Sequence, residues 1–217
     1  AATNYCNFWS ANANGYRYKQ IIKIIDAEKP VISNCPAGTT TYTDSTLNDP
    51  ELWHNVFNPS LPIQDLKEGK IDLSITSSDA CDGGNLYNTE FLLFLDLDND
   101  GIMESVINSE NLPGADTIRY NNISTPGYLG GTPVTFDSRP IPSNQKWHFT
   151  LQGSASSSDA TASVRWNTAL APNTFVEPQL PQGTHKIRWF VTDQCGNLGT
   201  CEHVFTILQG PTSGIED

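Results

Sequence analysis

FLLFLDLDNDGIMESVI, residues 91–107, is the stretch from which this 217-residue chain is best read. It begins with five apolar residues, Phe91 to Leu95, and a wholly apolar run of that length reads as a buried strand. The run passes straight into Asp96, Asp98 and Asp100, in strict alternation, and then into Gly101, Ile102 and Glu104. Val106 and Ile107 resume the apolar pattern, so the acidic segment is carried between two strands. With Asp96 as position 1, acids stand at positions 1, 3, 5 and 9. Glycine stands at position 6, where a sharp turn needs a residue free to adopt φ > 0.

Alternate carboxylates on a tight turn point their oxygens inward at one place, and calcium takes a cage of about six to eight hard oxygens. The expected ligands are the side chains of Asp96, Asp98, Asp100 and Glu104, with the carbonyl of Ile102 at position 7. Position 12, a bidentate glutamate in an EF-hand, is Ile107, so the loop is EF-like and not a full EF-hand. The same residues also read as a solvated Asp-Asn-Asp-Gly hairpin turn, which needs no metal.

Working outward, the chain carries a net charge of −12 and a pI near 4.5. Phosphate binding needs a basic face, so neither nucleic acid nor an anionic membrane surface is an expected partner. An acidic surface suits solubility and divalent cations. No run of eighteen apolar residues occurs, so no membrane insertion is expected. The first residues, AATNYC, hold neither a basic segment nor an apolar core, so no signal peptide is expected in them. Short β-prone runs between Gly, Pro, Asn and Ser clusters dominate, the pattern of an all-β sandwich. Cysteines occur at 6, 35, 81, 195 and 201, with no CxxC and no cluster of histidines near them, which favours an oxidising, extracellular setting over zinc.

Before the acidic loop, Tyr18–Ile25 reads as a strand and Pro30 as a boundary. PVISNCP, TTTYT and IDLSITSSD supply further strands, the last alternating Ile71, Leu73 and Ile75 against polar neighbours. LNDPELWHNVFNPSLP has three prolines and no clean period, and reads as loop. After it, TIRYNNI, PVTFD, KWHFTLQG and VRWNT look like strands, and SASSSDATAS like a flexible connection. Asn122-Ile123-Ser124 is a glycosylation sequon, meaningful only in a eukaryotic secretory host and equally a chance occurrence. The clearest hairpin is GTHKIRWFVTDQCGNLGTCEHVFTIL, turning at Gly196–Asn197, with Ile187, Trp189 and Val191 on one face. WSANANGYRYKQIIKI near the start echoes it, with a turn three residues shorter. Residues 1–29 therefore look like a closing hairpin surplus to a domain of residues 30–208, with a polar tail at 209–217.

Two segments carry a family resemblance. Pro30, Ile32, Cys35 and Pro36 at the opening resemble the hyalin-repeat (HYR) type of immunoglobulin-like module, as do Gly183, Thr184, Trp189, Val191, Asp193, Gly196, Asn197 and Cys201 at the close. The acidic insertion looks like versions found in large secreted surface proteins of Bacteroidota-type bacteria. Residues 36–70 and 105–180 depart from the pattern. The resemblance implies an immunoglobulin-like antiparallel β-sandwich with long loops and an extracellular, adhesive or structural role without catalytic residues. It also implies a bridge between Cys35 and Cys201, leaving Cys81 to pair with Cys195. A bridge of the first kind would be worth roughly 4–5 kcal/mol in the chain-entropy model. The alternative is a local Cys195–Cys201 bridge with Cys35–Cys81.

No G-x-S-x-G, H-E-x-x-H or phosphate loop is present, so no catalytic role is expected. Asp65/Glu68 and Asp49/Glu51 are conceivable glycosidase pairs, though such residues usually solvate a surface. Trp166 and Trp189 sit in strand patterns and suit a core, while Trp53 beside His54 is the better candidate for sugar stacking. Two readings follow. One is a structural or adhesive surface protein, stabilised by calcium, whose residues 1–29 and unpaired Cys6 join a second copy in a filament or a neighbouring module. The other is a glycan-binding module of a secreted enzyme.

Overall fold

The computed structural model describes residues 4–11, 17–44, 52–53, 68–81, 84, 88–97, 99–112, 114, 117–120 and 132–209. The chain folds as an all-β sandwich. In chain order the first strands are β1 (Asn4–Ala11), β2 (Arg17–Ile24), β3 (Val31–Ser33), β4 (Thr39–Asp44), β5 (Glu68–Lys70) and β6 (Leu73–Ser78). The acidic loop lies between β7 (Asn88–Leu95) and β8 (Ser105–Asn108), followed by β9 (Thr117–Tyr120) and β10 (Thr132–Thr135). Then come β11 (His148–Ala155), β12 (Ala160–Thr168), β13 (Ala171–Val176), β14 (Gln179–Pro181), β15 (Gly183–Thr192) and β16 (Leu198–Gln209).

One sheet runs β10-β9-β8-β7-β15-β16-β4 and the other β11-β12-β6-β3, with β13 added beside β12. The second order is the A-B-E-D order of an immunoglobulin sandwich, and β16-β15-β7-β8 corresponds to G-F-C-C′. The opening segment is divided between the layers: β3 pairs with β6, and β4 crosses over to run parallel to β16. The Cys35–Cys201 disulfide joins this crossing to β16, with Cα atoms 6.4 Å apart.

Period decides which side chains enter the core. β6 and β15 alternate buried and half-buried along their length, so Leu73, Ile75, Ile187, Trp189 and Val191 face inward. In β16 the inward set is Phe205 and Ile207. β7 is apolar on both faces for a reason. Phe91, Leu93 and Leu95 fill the core, while Leu92 and Phe94 join Val106, Met103 and Phe190 in a second cluster on the outer face. A fully buried side chain of this size contributes about 1.5–3 kcal/mol.

Several expectations change. Trp53 is not a surface platform: it is 0% exposed, stacks on Phe136 at 4.9 Å and donates its indole N–H to the Gln179 carbonyl. The segment read as a flexible connection forms the tight end of the β11–β12 hairpin. There Ser156 N–H donates to the Asp159 carbonyl at 2.8 Å, and the Ser156 hydroxyl caps the same turn. The β1–β2 hairpin ends at Ala11↔Arg17 and the closing hairpin at Thr192↔Leu198, so both connections span five residues, 12–16 and 193–197. Trp9 thus corresponds in register to Phe190, one place beyond Trp189. Among the described residues β1 and β2 pair only with each other. Cys6 lies opposite Ile22 in that pair, its side chain outside the described set. Asn122 is likewise outside the described residues.

Candidate metal centre

The β7 run delivers Asp96 into the loop with its carboxylate almost wholly buried, at 1% exposure. That carboxylate organises the turn. Its Oδ1 accepts the Asp100 N–H at 3.2 Å, and its Oδ2 accepts the Gly101 N–H at 3.1 Å. The backbone must double back to bring those amides round, and it does so through two left-handed residues, Asn99 (φ 59°) and Gly101 (φ 88°). Asp100 accepts the Ile102 N–H at 2.7 Å, and Glu104, 5% exposed, accepts the Leu97 N–H at 2.9 Å. Oxygens of Asp96, Asp100 and Glu104 all lie within 4.8 Å of one another. Asp98 lies outside the described residues. Ile102 turns its side chain outward, 57% exposed, and Ile107 is buried in the core and cannot serve as a ligand at position 12.

The donor set suits a hard cation. Each carboxylate has about four acceptor positions, so even Asp96, which accepts three N–H groups, is left able to bind an ion. Three carboxylates on one tight turn, two of them buried, form an all-oxygen cage of the type calcium favours. Bound calcium would supply the positive charge this group calls for and tie the ends of the loop together; Asp96, Asp100 and Glu104 would hold it.

The strand β15 supports the loop from outside. The Thr184 N–H donates to Asp96 Oδ2 at 3.3 Å, and the Asp96 N–H donates to His185 Nδ1 at 3.1 Å. Since a backbone N–H can only donate, Nδ1 carries no proton, and His185 Nε2–H donates to the Pro181 carbonyl at 2.8 Å. Burial pushes the His185 pKa down to about 4, against the pull of the Pro181 carbonyl and the Asp96 charge, so the ring is neutral. Sequence reading missed these contacts. Gly183 and Thr184 stand out as family-like residues, but nothing local ties them to a loop 88 residues earlier.

The cysteines divide differently from expectation. Cys35 and Cys201 are joined, which rules out the local Cys195–Cys201 pairing. Cys81 and Cys195 are free thiols and not the second bridge. Each sits in a turn fixed by its own aspartate: Asp79 Oδ1 takes the Cys81 N–H at 2.8 Å, and Asp193 Oδ1 takes the Asn197 N–H at 2.7 Å. The Cys81 thiol is raised above its ordinary pKa by desolvation and then by the Asp26, Asp79 and Glu28 carboxylates, so it stays protonated at neutral pH.

Of the residues weighed for sugars or catalysis, Trp166 and Trp189 are core side chains. Half-buried Trp147 packs against Trp166 and carries the Arg139 guanidinium 5.5 Å over its ring. Glu68 is buried in β5, while Asp49, Glu51 and Asp65 are outside the described residues. No protein-family model, curated protein or solved structure matches the chain.

Proposed function

We propose that this chain is a non-catalytic extracellular structural or adhesive module whose sandwich is locked by calcium in the 96–104 loop. The observation that carries this reading is the convergence of Asp96, Asp100 and Glu104, two of them buried, on one tight turn. The Cys35–Cys201 bridge suits an oxidising compartment, and the hyalin-repeat-type residues at both ends of residues 30–208 favour a secreted surface protein. Among the described residues no helix is long and apolar enough to cross a membrane. Calcium here neutralises crowded acids and fixes the connection between two central strands.

Assembly is part of the proposal. A lone two-stranded hairpin is marginal in water, and the outer edges of β1 and β2, which pair with no other strand among the described residues, are templates for further strands. A second copy that receives this hairpin would extend head to tail into a filament. Two measurements test the reading. Thermal unfolding in calcium and in excess chelator should differ by several degrees, and identical curves would remove the metal. Sedimentation of the full chain against a chain lacking residues 1–29 should show assembly only for the former, and equal behaviour would remove strand donation.

A further inference from the structure

We propose that Gly183, Thr184 and His185, at the start of β15, are the distant half of the calcium site and set its affinity through Asp96. This rests on the calcium reading and extends it to residues that bear no charge and follow Asp96 by more than eighty positions. Three consecutive residues each do one thing to Asp96. Gly183 lets the backbone approach: a Cβ there would lie 3.0 Å from the Asp96 carbonyl oxygen and 3.4 Å from its carboxylate. Thr184 fixes the carboxylate, its N–H donating to Oδ2 at 3.3 Å. His185 fixes the peptide, accepting the Asp96 N–H on Nδ1. The ring cannot swing away, because its other nitrogen is tied to Pro181 and it is fully buried against Phe205, with ring centres 5.5 Å apart. Asp96 is thereby aimed before any ion arrives, and groups that orient a ligand in this way typically control metal affinity by about 10–100-fold. The coupling is reciprocal. An ion that holds Asp96 also holds the start of β15, where Gly183 pairs with Ile207 of β16, so calcium tightens the closing hairpin.

Calorimetric calcium titration of the full chain tests this with His185→Leu, Gly183→Ala and His185→Asn. The asparagine keeps an acceptor near the Nδ1 position. His185→Leu and Gly183→Ala should each weaken calcium by about tenfold or more, and His185→Asn should restore most of the loss. A merely structural role would lower the melting temperature equally in calcium and chelator and leave the affinity unchanged. Wild type binding calcium with the leucine and alanine variants binding within about threefold of it would overturn the inference and spare the calcium reading. Wild type that binds no calcium overturns both. If the variants do not fold, amide exchange on wild type decides: the Asp96 and Thr184 N–H groups should exchange about tenfold more slowly in calcium. Equal exchange in calcium and chelator overturns the proposal.

Discussion

Asp96 and Asp193 mark the two ends of β15, one pressed against its first residues and the other following its last. Both carboxylates are 1% exposed, both gather the backbone N–H groups of the turn they begin, and both turns close through a left-handed glycine, Gly101 or Gly196. Their surroundings differ. At Asp193 the remaining oxygen accepts the Asn197 side-chain amide at 2.7 Å, so a neutral donor completes the turn. At Asp96 the corresponding space is shared with Asp100 and Glu104. A third buried aspartate, Asp137, is matched by the Arg139 guanidinium. A tight turn therefore needs one aspartate, one glycine and one amide. The additional carboxylates of the 96–104 loop exceed that need, which is the ground for proposing a positive ion among them.

The largest effect that could break this contrast is Asp96→Ala. It removes the acceptor of three backbone N–H groups together with an expected ligand, and should lower stability by about 3–5 kcal/mol in calcium. Urea unfolding should also show that the variant has lost its response to chelator. Asp193→Ala should cost about 1–3 kcal/mol, the same with and without calcium, because its partners are backbone amides and Asn197.

Acid titration sharpens the second case. Burial alone would raise the Asp193 carboxyl, but the Asn197 side chain and N–H, with the amides of Cys195 and Gly196, outweigh it and hold it below the ordinary range. The folded value lies below the unfolded one, so the unfolded chain takes up the proton first as pH falls. The stability from Asp193 is complete above about pH 4 and is lost as pH falls through the folded value. Unfolding followed by fluorescence should show that acid loss diminished in Asp193→Asn.

The smallest effect has opposite signs in two buffers. Asp100 is exposed and adds like charge to the cluster, so Asp100→Asn should stabilise the chelated protein by about 0.5 kcal/mol and weaken it relative to wild type in calcium. A variant destabilised alike in both buffers would assign Asp100 to the turn alone.

What could be read from the sequence follows the range of the forces involved. The closing hairpin was legible because Ile187, Trp189 and Val191 keep strand period, and β7 because five apolar residues can only be buried. Trp53 could not be placed in the core from its own segment, which has prolines and no period, because its burial comes from Phe136 and Gln179, far along the chain. The Ser156–Asp159 turn was hidden by its composition: serine and aspartate make a segment look unstructured, yet here the same hydroxyls and carbonyls bond one another. β13 carries Pro172 and lies almost wholly exposed, so it has no hydrophobic signature at all. The acids of the loop were legible by alternation. Their support from His185 was not, since it depends on a strand register that sets two segments 89 residues apart side by side.

Calcium binding at the 96–104 loop is tested most directly by calorimetric titration of calcium into the chelator-stripped chain of residues 1–217. The expected result is one ion bound per chain with a Kd of about 10⁻⁴–10⁻³ M or tighter, abolished by Asp96→Ala and untouched by Asp193→Ala. Heat that is flat across the titration, or binding that survives loss of Asp96, would contradict it.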